Sequence, residues 1–267
     1  MFAYPFMVNA LEAGTIVSLI AAVAGWFMVL RRQTFAGHTL AVMSFPGASA
    51  AALAGVPLAA GYFASSAAAA VAIAAGSRGR EGRDPVQESA VIGTVQVAGL
   101  ALGFLFLSLY GGILESLETM LFGSFLGITQ DQVLALLAVA AATLLFFVIA
   151  GRPLLYASVD PLAARARGVP VRLLEPAFLV VLGLAVAATA QITGVLLVFA
   201  LLVAPTAAAQ ELTPRVWLGL ALTATVALSV TWLALTLAYY TDYPVGFFVT
   251  SIGFAAWVAA SLWRRLC

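Results

Sequence analysis

The chain has 267 residues, 64% of them hydrophobic and only 9% charged, with a formal net charge of +1 and a mean hydropathy of +1.10. A soluble domain of this length needs far more polar surface to cover its exterior, so the expected solvent is a lipid bilayer. One cysteine, Cys267, excludes an intrachain disulfide, and the start lacks the basic region and small-residue site of a cleavable signal peptide.

A crossing takes about 20 apolar residues. In chain order, apolar runs that suit one fall at 10–30, 38–55, 57–76, 86–110, 132–151, 174–190, 193–210, 216–239 and 245–263. The expected fold is therefore all-α, a polytopic transmembrane bundle of about nine spans in a single domain, 1–267. Lysine is absent, and the arginines fall at 31–32, 78, 80, 83, 152, 165, 167, 172, 215 and 264–265. Counting crossings puts every one of them on the same side, which positive-inside bias makes the cytoplasm. That sets the N-terminus outside and the C-terminus inside. The opposite side holds Glu115, Glu118, Asp131 and Asp242 and no arginine.

Four stretches stand out along the chain. The first is "FAGHTLAVMSFPG", 35–47, which follows Arg31–Arg32, holds the sole histidine, His38, and places Pro46–Gly47 inside the second span. Pro46 and, in the seventh span, Pro205 each remove a backbone hydrogen bond and should kink or break a helix. Paired Pro/Gly-interrupted spans point to a transport path, which makes Pro46, Gly47 and Pro205 candidates for lining it. The second stretch, "GSRGREGRDP" at 76–85, reads as a solvated cytoplasmic loop. The third, 110–132, is the longest outer segment; it is amphipathic and suits the interface or a dip into the protein. The fourth is "GRPLLYASVDPLAARARGVPVRLLEP", 151–176. There Asp160 is an N-cap, Pro161 the first helical residue and Gly168 a terminator, with Pro170 just beyond. They define a short cytosolic helix that suits docking to a cytosolic partner.

Several chemistries are excluded. A phosphate-binding G-x-x-x-x-G-K-[ST] loop needs a lysine, and there is none. One histidine and one terminal cysteine make neither a nucleophilic triad nor a four-ligand zinc site within one chain. Glu12, Glu88 and Glu211 sit near span ends, where capping suits them better than proton relay. The chain is expected not to be an enzyme and to draw its energy from elsewhere.

Over nearly its whole length the chain resembles the permease subunits of bacterial ABC importers for zinc, manganese and iron, the ABC-3 type. "LRRQTFAGHTLAVMSFPG" resembles that family's basic pair, Gly-Asp-x-Leu-Ser-His run and Pro-Gly. "ESLETMLFGSFLGIT" resembles its outer Leu-Phe-Gly-Ser segment, "YASVDPLAARARGVPVRLLE" its Asp-Pro-x-x-Ala-x-x-x-Gly cytoplasmic loop, and "ITGVLLVFALLVAPTAAAQEL" its Pro-Ala span. The resemblance implies a bacterial inner-membrane homodimer that carries a divalent metal such as Zn2+ or Mn2+. Each subunit would dock on a cytosolic ABC ATPase, which holds the ATP, and receive cargo from an extracytoplasmic metal-binding protein. No tightly bound cofactor and no nucleic-acid partner are implied. Asp160, Pro161, Ala164 and Gly168 would form the coupling helix seated in the ATPase.

One departure changes the chemistry. The family pairs an aspartate with a histidine four residues on, one turn apart on a helix face. Aligned on Gly37, Leu40 and Pro46–Gly47, those positions are His38 and Val42 here. Imidazole still suits zinc and other borderline divalent cations, so His38 is the candidate ligand for the transported ion. The missing carboxylate leaves open a metal chelate or other small solute as cargo. A membrane scaffold with no transport of its own is the reading from a different class.

Overall fold

The computed structural model describes residues 4–76, 85–111, 127–241 and 243–266. Among them no strand occurs, and the elements are α1 Pro5–Leu30, α2 Thr34–Val42, α3 Ser44–Ala54, α4 Leu58–Gly76, α5 Pro85–Tyr110, α6 Gln130–Val159, α7 Pro161–Ala166, α8 Val171–Thr193, α9 Val195–Leu212, α10 Val216–Tyr240 and α11 Val245–Leu266. The "GSRGREGRDP" loop and the outer Leu-Phe-Gly-Ser segment fall mostly outside the described residues.

Among the described residues seven helices (α1, α4, α5, α6, α8, α10 and α11) are long and apolar enough to cross a bilayer, while α9 is a shorter apolar helix. The expected second span, 38–55, is not one helix. It is α2 and α3, interrupted at Met43. Pro46 explains the position of the break. Its ring would collide with the carbonyl of Val42 if the helix ran through, so α2 ends at Val42 and Pro46 sits in the first turn of α3, where no N–H is needed. Pro205, by contrast, lies within an uninterrupted α9; no break occurs there.

The fifth and sixth spans also extend beyond their expected limits. Helix α6 continues through Arg152–Pro153 to Val159, because Leu154 and Ala157 on that extension are buried, and packing outweighs the proline. Helix α8 likewise starts at Val171 and contains Pro176.

Contacts fix the relative directions of the helices. Asn9 donates to the Ile128 carbonyl (3.1 Å) at one end of α1, and Arg31 to Ser158 (3.3 Å) at the other, so α1 and α6 run parallel. Gly14 packs on Thr231 and Leu235 while Gly219 packs on the Trp26 ring, so α1 and α10 are antiparallel. Gly246 meets Leu197, Gly253 meets Ala204, and Arg264 pairs with Glu211 at 2.7 Å, so α9 and α11 are parallel. Gly99 against Met43 and Gly103 against Phe45 and Pro46 make α5 parallel to α3.

Helices α1 and α8 are the most enclosed of the long helices and α11 the least. Where α1 meets α10, Ser18 Oγ lies within hydrogen-bond distance of the Gly14 carbonyl (2.7 Å) and of the Thr231 hydroxyl (2.8 Å). Buried Thr189, Thr206 and Thr223 back-bond to carbonyls of their own helices. A hydroxyl in hydrocarbon needs such a partner, because no water replaces it.

Candidate translocation path and coupling surface

The broken helix occupies the middle of the bundle. Helix α2 touches α1, α4, α5, α8 and α9, and Thr39, Leu40 and Ala41 are fully buried. A break there frees backbone carbonyls that lipid cannot satisfy. A serine of α4 reaches one carbonyl of α2. Ser66 on α4 donates to the Leu40 carbonyl (3.3 Å) and pairs with Ser44 (3.1 Å) at the start of α3. The same two helices cross tightly just beyond: a Cβ on Gly47 would overlap the Gly61 carbonyl oxygen and Ser65 Oγ, and one on Gly61 would overlap the Gly47 carbonyl. Gly47 thus serves as a contact point between backbones.

His38 lies on α2 with its ring edge-on to Phe199 of α9, centroids 4.9 Å apart. Its Nδ1 is buried and has no hydrogen-bond partner. Beside it, Thr39 donates to Gln96 Oε1 of α5 at 2.9 Å. Val42, where the resemblance places a second ligand, is buried in the apolar core. Among the described residues no three His, Cys, Asp or Glu side chains come together. The region therefore holds one imidazole against the Phe199 ring, with the Thr39–Gln96 hydrogen bond beside it in sequence.

The second candidate region lies at the far end of α6. Asp160 Oδ1 accepts from the backbone N–H of Leu162 (3.0 Å) and Ala163 (2.9 Å), and Pro161 opens α7. Gly168 adopts φ +80°, a left-handed turn that glycine takes without strain, and the Val169 N–H returns to the Ala164 carbonyl at 3.0 Å. The start and stop of α7 therefore match the expectation from Asp160, Pro161 and Gly168. Ala164 faces inward. It is 2% exposed and packs with Ala157 and Val171, so it seats α7 on its own chain. Outward lie Val159 and Leu162, both about three-quarters exposed. Next to the helix, Arg165, Gly168, Val169, Pro170, Val171 and Arg172 line a concavity of about 430 Å³.

The sequence does not single out the partners Ser66, Gly61, Gln96 and Phe199. The one available signal was the small-residue run "AAGYFASSAAAA" in α4, which marks close packing without saying against what.

The chain is thus a bundle of apolar, membrane-length helices with a broken central helix and a short capped helix at one end. The ABC 3 transport family matches residues 3–264. The chain is 30% identical over 224 residues to the "Manganese transport system membrane protein MntC" of Halalkalibacterium halodurans, covering 84% of this chain and 75% of that one. It is 32% identical over 204 residues to the "Chelated iron transport system membrane protein YfeD" of Yersinia pestis, covering 76% and 67%, and 28% identical over 265 residues to a "Probable iron transport system membrane protein" of Haemophilus influenzae, covering 98% and 95%. The solved structure of PsaBC from Streptococcus pneumoniae in complex with Fab shares the fold, with a TM-score of 0.84 at 24% identity over 98% of this chain and 95% of that one. The chain belongs to the ABC 3 transport family. It is a multi-pass permease of the bacterial inner membrane.

Proposed function

We propose that the chain is the translocating subunit of an ATP-driven importer for a divalent metal ion, zinc or manganese, and works as a homodimer in which each copy docks α7 on a separate cytosolic ATPase. An extracytoplasmic metal-binding protein supplies the cargo. The observation that carries this reading is the interrupted α2–α3 helix in the bundle centre, with the unpartnered His38 nitrogen on it. Ser66 of α4 reaches the Leu40 carbonyl beside the break, and irregular backbone at membrane depth is tolerated where protein or a water-lined path surrounds it. The relatives named for manganese and iron transport support the cargo class.

His38 is the residue to test. Replacement with alanine should lower both metal retained by the purified permease, measured by mass spectrometry after dialysis against zinc or manganese, and uptake by reconstituted vesicles, by about tenfold or more. Unchanged values would remove His38 from the path.

About nine crossings, N-terminus outside and C-terminus inside, over a single 1–267 domain, remain the proposed topology. Support comes from the helix directions. α2–α3, taken as one crossing, runs parallel to α5, and α9 parallel to α11, as alternation of about nine spans demands. A thiol at Leu162, 75% exposed, in a Cys267→Ser background should react with an impermeant maleimide only after the membrane is opened. Labelling in intact cells would reverse the orientation. Ala164 is too buried to serve as that probe.

A second reading keeps the permease and changes the cargo to a metal chelate. The loss of the carboxylate at His38/Val42 favours it, as does the relative named for chelated iron. Competition of labelled free metal against metal citrate in the same vesicles separates the two.

A further inference from the structure

The arginine pair after α1 is a positive-inside signal by sequence, yet its first member points into the protein. Arg31 Nη1 donates to Ser158 Oγ at 3.3 Å, and its guanidinium lies over the Phe178 ring of α8, 5.1 Å from the centroid. Phe178 is completely buried. The Arg31 Nε is buried without a hydrogen-bond partner, and so is Oε1 of Gln33, two residues on. Burial pulls the pKa of Arg31 below the ordinary arginine value, and the carboxylates of Glu175 on α8 and Glu88 on α5 oppose it. One side chain therefore engages α6 and α8 directly and α5 through space.

Its covalent neighbours make the link stiff. The Arg31 N–H closes on the Phe27 carbonyl (2.9 Å), Arg32 on Val29 (3.0 Å) and Gln33 on Met28 (2.9 Å), and Arg32 holds φ +58°, a region that non-glycine residues seldom adopt. Helix α2 starts at Thr34 and ends at the Met43 break. On the other side, Ser158 lies two residues before Asp160, the cap of α7.

We infer that Arg31 is a positioning residue that ties the root of α7 to the broken helix carrying His38, so that movement of the cytosolic helix is carried into the path through the Arg31–Ser158 and Arg31–Phe178 contacts. A guanidinium is well matched to this role, because its planar fork bonds and stacks at once, which a lysine ammonium cannot do. The inference rests on the proposed docking of α7 on an ATPase, and the experiment separates the two.

The permease and the ATPase of its own system are reconstituted together in vesicles, and zinc or manganese entry and ATP hydrolysis are measured in the same sample. Arg31→Ala should raise the ATP consumed per ion by about tenfold, within the usual range of coupling between sites, while the ATPase still co-purifies. Arg31→Lys should fall between, and Ser158→Ala should shift the ratio in the same direction by less. A merely structural role would lower hydrolysis and entry together and leave the ratio unchanged, and that result overturns the inference. If Arg31→Ala does not fold, Arg31→Lys and Ser158→Ala decide by the same ratio. An unchanged ratio with entry lost in Asp160→Ala removes Arg31 and leaves the docking of α7 standing. Full entry in Asp160→Ala removes the docking of α7 and this inference with it.

Discussion

Replacing Gly47 with leucine should abolish the folded permease. The side chain would have to enter the crossing of α3 and α4, where a bare Cβ already overlaps the Gly61 carbonyl oxygen and Ser65 Oγ. Extra methylenes in a packed core cost about 1–3 kcal/mol when side chains can shift. Here the obstacle is backbone on a neighbouring helix, so the helices must separate. Separation also breaks the Ser44–Ser66 pair and the bond from Ser66 to the Leu40 carbonyl, leaving buried polar groups at about 1–3 kcal/mol each. Together these approach the whole stability of a typical domain, about 5–15 kcal/mol. The measurement is the monodisperse fraction in detergent and the thermal unfolding midpoint. Gly93→Ala is the control, since a Cβ there meets only Phe35 at 3.9 Å; it should gain helix propensity, up to about 1 kcal/mol. A Gly47→Leu protein that folds normally but no longer transports would show that Gly47 serves the path rather than the fold.

The sequence made plain whatever depends on hydropathy or on adjacent residues. Membrane burial followed from composition, and the α7 boundaries followed from Asp160, Pro161 and Gly168, since a cap acts over three or four residues. The α2–α3 break was harder to read. An apolar window averages across 38–55 and cannot distinguish a kinked crossing from two helices joined at Met43. Pro46 and Pro205 look alike in sequence but differ in structure, the first following a break at Met43 and the second lying inside a continuous helix. Arg152–Pro153 resembles the end of a span, yet burial of Leu154 and Ala157 carries α6 past it. Arg31 shows only its charge in the sequence, whereas its role depends on Phe178 and Ser158, more than 120 residues away in the chain. Such long-range pairs leave no mark in a single sequence.

The other large effect should come from Asp160, and it should be one of function without loss of fold. Helix α7 has six residues, far too few to persist alone. It is held by the Asp160 cap and by Ala164 packed against Ala157 and Val171. Asp160→Ala removes both backbone hydrogen bonds and costs about 0.5–2 kcal/mol. That is small against the bundle and large for one helical turn: every 1.4 kcal/mol is about a tenfold change in the formed fraction. If the ATPase grips a formed α7, metal entry and ATPase co-purification should both fall by about tenfold, while the unfolding midpoint of the permease stays within a few degrees. Asp160→Asn gives the sharper comparison. Asparagine caps as well as aspartate and forfeits only the favourable charge at the helix start, about 0.3–1 kcal/mol, so entry should stay near normal. If Asn fails as badly as Ala, the partner reads the carboxylate itself rather than the helix it caps. If alanine transports normally, α7 is not the point of attachment, and the outward-facing Val159 and Leu162 need another explanation.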